Sequence, residues 1–114
     1  MLEAISSEDI LFIDIETVPQ YDSFVNVPGN YQKLWDKKSV YFRDEEQAVG
    51  DVYERAGIYA EFGRIVCISA GVIIQKNGER YYRVKSFHHP DEKKLLADFN
   101  DMLEKFTSNP GKKL

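Results

Sequence analysis

Two carboxylates one residue apart, Asp14 and Glu16 in the string Asp14-Ile15-Glu16-Thr17, are the residues of this chain whose types and spacing best carry chemistry. Side chains alternate along a strand, so Asp14 and Glu16 project from the face that also bears Ile10 and Phe12. Leu11, Ile13 and Ile15 take the other face. Two acids side by side at the end of a covered strand repel each other and resist loss of water, and a cation relieves both penalties. Hard carboxylate oxygens suit Mg²⁺ or Mn²⁺. In an arbitrary protein, a bare D-x-E is more often a solvated pair beyond a strand, or an acid capping a turn. The apolar run before this pair and Thr17-Val18-Pro19 after it favour the metal-holding arrangement.

Other chemistry-bearing residues offer less. His88-His89 precede Pro90 with no Cys or acid at ligand spacing beyond Asp91, so they read as exposed residues leaving a hairpin. Asp98 and Asp101 fall on the polar face of a helix. Tyr81, Tyr82 and Phe87 could stack bases, but strand packing is the plainer role. Cys67, between Val66 and Ile68, reads as an inert core thiol.

The elements that must position the pair follow from pattern. Asp9 to Ile15 is apolar at nearly every position, which predicts a strand covered on both faces. Glu16 to Asn30 carries Pro19, Pro28 and Gly29 and reads as an irregular excursion. Tyr31, Leu34 and Trp35 predict a short helix, and Asp44 to Tyr59 a second one, weakened by Gly50 and Gly57. Arg64 to Gln75 is a strongly β-branched apolar strand. Asn77-Gly78 suits a type I′ turn that sets Lys76 opposite Glu79. The return strand, Arg80 to Phe87, alternates Tyr82, Val84 and Ser86 with Tyr81, Arg83, Lys85 and Phe87. Pro90 and Asp91 open a helix over 91–106 whose stripe is Leu95, Leu96, Phe99, Met102, Leu103 and Phe106, and Asn109-Pro110-Gly111 stops it.

Composition narrows the classes. The chain has 114 residues, 43% hydrophobic and 30% charged, with a net charge of −4. That is ordinary globular usage, and it excludes a broad basic surface that grips nucleic acid by charge alone. It leaves room for an acidic site that reaches phosphates through metal ions. The acids between Asp44 and Glu61 read as a solvated face and a poor place for DNA. A single cysteine forms no internal disulfide and points to a reducing cytoplasm. No signal peptide is evident, and the longest apolar run is too short to span a bilayer, so no membrane partner is expected.

On these residues a resemblance becomes specific. ILFIDIETVP resembles the first motif of DEDD-type 3′–5′ exonucleases, closest to the proofreading domain related to family-B DNA polymerases. FGRIVCISAGVI is similar to the second strand of that family. The resemblance implies an α/β, ribonuclease H-like fold with a mixed sheet of order 3-2-1-4-5. Three N-terminal strands (hairpin 64–75/80–87), a helical insertion after strand 1 and a helix over 91–106 are present, with strands 4 and 5 missing. Residues 1–114 are then the N-terminal part of one exonuclease domain. It further implies that Asp14 bridges two divalent ions, Mg²⁺ or Mn²⁺, about 4 Å apart, while Glu16 holds the ion that activates water. Thr17 would lie near the terminal nucleotide of a single-stranded 3′ end, most readily DNA. The second-motif Asp and the third motif, with its general base, are absent, so the chain is expected to cleave nothing.

Two rivals remain. One is an inactive ribonuclease H-like scaffold or dimerisation module that pairs the open edge of strand 1 with a second copy. The other is a haloacid dehalogenase-like phosphatase, which wants Asp where this chain has Glu16 and no antiparallel hairpin after it.

Overall fold

The computed structural model describes residues 5–108. It is a small α/β protein whose strands β1 (Phe12–Pro19), β2 (Gly63–Lys76) and β3 (Glu79–His88) form one antiparallel sheet in the order β1-β2-β3. The three strands expected of this chain are present, and they pair in antiparallel fashion. Helix α1 spans Gly29–Ser39 and helix α2 spans Glu92–Ser108. The described chain clusters into two compact units, one formed by residues 5–16 and 66–108, the other by Thr17–Ile65. Among the described residues no helix is long and apolar enough to cross a membrane. The expected helix stop at Asn109-Pro110-Gly111 lies outside the described residues.

In the first unit the hairpin forms as the turn chemistry dictates. Asn77 and Gly78 adopt φ of 54° and 79°, the two positive values a type I′ turn needs, and Lys76 pairs with Glu79. Residues directly opposite each other in such a ladder share a face. Phe87 pairs with Ile68, Lys85 with Ala70 and Arg83 with Val72. Ile68, Ala70, Val72 and Phe87 are buried, as are Leu95 and Met102 of α2, and the Phe87 ring meets Phe99 edge-on at 5.8 Å. Helix α2 thus covers this face with its apolar stripe, which is the source of its stability. Asp91 caps the helix by accepting a hydrogen bond from the Lys93 N–H at 3.1 Å.

The second unit is built around Trp35, fully buried, whose ring contacts Phe42, Tyr53, Tyr59 and Phe62 at centroid distances of 5.7, 5.7, 6.1 and 5.0 Å. Its Nε1–H donates to the Val49 carbonyl at 3.1 Å, so the indole is buried without losing a hydrogen bond. The helix expected over 44–59 is shorter and tighter: a 3-10 helix, Val49–Ile58. Residues before it are held in turns by side chains, with Asp44 accepting from the Glu46 N–H and Asp51 from the Ala48 N–H. Gly50 and Gly57 weaken α-helical propensity within the segment and permit close packing instead. A Cβ on Gly50 would lie 3.1 Å from the Phe24 ring, and one on Gly57 would lie 3.0 Å from the Val18 backbone.

Candidate functional site

Asp14 and Glu16 lie inside β1, not at its end. The strand begins at Phe12, three residues later than the apolar pattern suggests, because Ser7–Asp9 form a 3-10 turn. Ser6 caps that turn by accepting from the Glu8 N–H at 3.4 Å. Local Ser and Asp chemistry competes with strand formation there. At the other end β1 runs on to Pro19, through part of the expected irregular excursion.

The larger correction concerns cover. Phe12, Ile13, Asp14, Ile15 and Glu16 are all exposed, so β1 is not sheathed on both faces. Among the described residues it is an edge strand with β2 as its one neighbour, and α2 packs principally against β3. An apolar run signals burial on both faces only when two layers are present to bury it. Asp14 and Glu16 therefore escape the desolvation penalty. Their mutual repulsion remains, screened by water. Neither has an ion-pair or hydrogen-bond partner among the described residues. No group of three or more potential metal ligands occurs among those residues.

The face bearing the two acids is the one opposite α2. Phe12 meets Tyr82 edge-on at 6.0 Å, which fixes the even residues of β1 on the face of Tyr82, Val84 and Ser86. The Ser69 and Ser86 hydroxyls are bonded at 3.2 Å on that face. The Tyr82 hydroxyl lies over Gly71, in the space a Cβ would occupy. A pocket of about 120 Å³ opens there, lined by Phe12, Asp14, Ser69, Gly71, Tyr82 and Val84 among others. The sequence reading missed this grouping. Gly71, in the middle of a β-branched strand, is the available signal for a close approach.

The remaining candidates separate clearly. Thr17 donates its hydroxyl hydrogen to the Gly57 carbonyl at 2.6 Å. His88 and His89 are exposed, and Nδ1 of His89 accepts from the Asp91 N–H at 2.9 Å. Asp98 is paired with Lys94 at 3.0 Å on the surface of α2. Phe87 packs in the core; Tyr81 and Tyr82 are exposed, although the Tyr82 ring still packs against Phe12 and over Gly71 within the sheet. The Tyr81 hydroxyl donates to Glu79 at 2.8 Å, and that bond pushes the phenol above its ordinary pKa. Cys67 is half-buried and not a core thiol.

Comparison with family models, with curated proteins and with solved structures gives no match.

Proposed function

We propose that the acidic face of β1 belongs to a two-metal phosphodiesterase site of the 3′–5′ exonuclease class, carried on the first three strands of a ribonuclease H-like sheet. The observation that carries this reading is the placement of Asp14 and Glu16. They stand side by side on an open sheet face next to a pocket, and neither is neutralised by a described residue. The strand order β1-β2-β3 supports it, because it is the order in which the first three strands of such a sheet lie.

The donor set fits a hydrated divalent ion. Mg²⁺ is commonly held by one or two carboxylates, with waters and substrate phosphates completing its shell. Asp14 and Glu16 would supply the oxygen ligands, and ions held there would neutralise a phosphodiester and furnish an activated water. The chain's own contribution is geometric, since the strand pleat sets both carboxylates on one face at a fixed spacing. With two of the four expected acids and no general base, the chain should leave nucleic acid uncut.

Thermal unfolding with and without Mn²⁺, repeated on Asp14→Ala, tests the reading. A Mn²⁺-dependent rise in midpoint that the substitution abolishes supports it. A rise that survives the substitution, or none in either protein, defeats it.

The scaffold reading has its own observation: β1 is an edge strand with Phe12, Ile13 and Ile15 exposed. Such an edge invites strand pairing with a second copy, although carboxylates along an edge oppose it. A dimer in sedimentation that is lost on Ile13→Lys would favour this alternative.

A further inference from the structure

The second unit has an apolar concavity of its own. Tyr31 and Leu34 of α1 fall on one side of the helix, and Tyr41 follows in the turn after it; all three are exposed. Together with Phe62 they line an open pocket of about 330 Å³, a volume at the low end of small-molecule sites. Phe62 is buried, and its ring meets the fully buried Trp35 edge-on at 5.0 Å, so the core behind it fixes this wall. Exposed apolar side chains gathered around a concavity, rather than scattered singly, mark a binding surface.

The unengaged polar groups of this lining can all donate hydrogen bonds. Lys37, Lys38 and Glu61 complete it. Lys38 and Glu61 are committed to each other at 3.6 Å, and the Lys38 ammonium also lies over the Tyr59 ring. Lys37 has no ion-pair partner among the described residues, and neither has Lys33 one turn before it. Two such lysines at i and i+4 repel each other, a penalty that a bound anion relieves. The Tyr31 and Tyr41 hydroxyls also lack a hydrogen-bond partner among the described residues.

We infer that this pocket binds a small aromatic carboxylate, its ring among Tyr31, Leu34, Tyr41 and Phe62 and its carboxylate on Lys37. Aromatic walls favour a ring over an aliphatic body of equal area, and the ammonium makes a charge-assisted bond to the carboxylate. Charge also removes the larger occupants. A two-fold dimer through this face would set Lys33 and Lys37 against their own copies. The acids from Asp44 to Glu54 in the same unit oppose a polyanion, which leaves a ligand with a single negative charge. The site involves neither Asp14 nor Glu16 and stands apart from the reading of β1.

Amide NMR of the full chain, titrated with naphthoate and with its uncharged isostere naphthamide, tests the pocket. Naphthoate should shift the amides of residues 31–41 and of Phe62 and saturate with a Kd on the order of 1 mM. Naphthamide should bind about fivefold more weakly. Lys37→Gln should bind both probes equally, whereas Leu34→Gln should weaken both alike; the spectra themselves report whether each variant is folded. Equal binding of the two probes by the parent, or a naphthoate preference that survives Lys37→Gln, overturns the inference. So do shifts confined to other residues, or acetate reproducing the naphthoate shifts, which would leave only a surface anion contact. Movement of the same amides on dilution of the free protein would give the face to a second copy and also overturn it.

Discussion

Replacing Asp14 by Asn changes the charge on β1 without changing its shape, and the structure sets both the sign and the size of the outcome. Alternate residues of a strand are about 7 Å apart, and two unit charges at that separation in water repel by about 0.6 kcal/mol. Both side chains are exposed and without described partners, so nothing favourable is lost with the charge. In EDTA at low salt Asp14→Asn should therefore be more stable than the parent, by at most this amount because the two residues also stay close in the unfolded chain. Unfolding entropy of about 2.1 cal/mol/K per residue converts that ceiling to a rise of at most about 2–3 °C for a chain this size. Mn²⁺ at about ten times its dissociation constant should reverse the ranking. It adds about 1.4 kcal/mol to the parent, or about 6 °C, and little to the variant. Differential scanning fluorimetry in the two buffers, with a high-salt control that shrinks the EDTA difference, reads both effects. A variant less stable than the parent in EDTA would mean that Asp14 makes a favourable contact. Equal stabilisation of both proteins by Mn²⁺ would place the ion elsewhere.

Further outcomes follow from packing and local bonding. Gly63→Ala would set a Cβ 2.8 Å from the Gly57 carbonyl, a backbone atom that cannot step aside, and should cost about 1–3 kcal/mol in urea unfolding. Gly71→Ala meets only the exposed Tyr82 side chain, so its cost should stay below about 1 kcal/mol while it moves the ring from its place. Trp35→Phe keeps an aromatic ring but removes the hydrogen bond to Val49 and leaves a void; a loss of about 2–4 kcal/mol is expected by the same assay. The Tyr81 phenol, held above 10.0 by its bond to Glu79, should titrate at lower pH in Glu79→Gln when followed by ultraviolet absorbance. Because the folded value is the raised one, whatever stability this bond contributes is present below the unfolded pKa and disappears as pH rises through the folded value.

The parts of the fold legible in sequence are those fixed by local chemistry. Asn77-Gly78 announced two positive φ values, and those set the register of every pair from Lys76 and Glu79 outward. The stripe from Leu95 to Phe106 announced a helix with one covered face, because helical spacing and burial are the same fact read twice. The segment 44–59 was less legible. Its apolar spacing fits a helix, but bonds from Asp44, Gln47 and Asp51 side chains to nearby backbone outcompete the first turns, and only a 3-10 stretch remains.

The misreading of β1 bears directly on the site. Its apolar run fits a strand between two covering layers, where two buried charges would demand a cation. The strand lies at the sheet edge with both faces in water, so burial no longer presses Asp14 and Glu16 toward a metal. What remains is geometry: two carboxylates at strand spacing, on the face that carries the exposed Phe12 and Tyr82 rings. A weakly repelling, hydrated pair binds a divalent ion only modestly until phosphate oxygens join the shell. Metal and nucleic acid should therefore bind cooperatively here. Mn²⁺ should strengthen oligothymidylate binding in the parent chain and leave Asp14→Asn unaffected. Identical Mn²⁺ dependence in the two proteins would separate the acids from the rings and remove the reason to treat the face as one site.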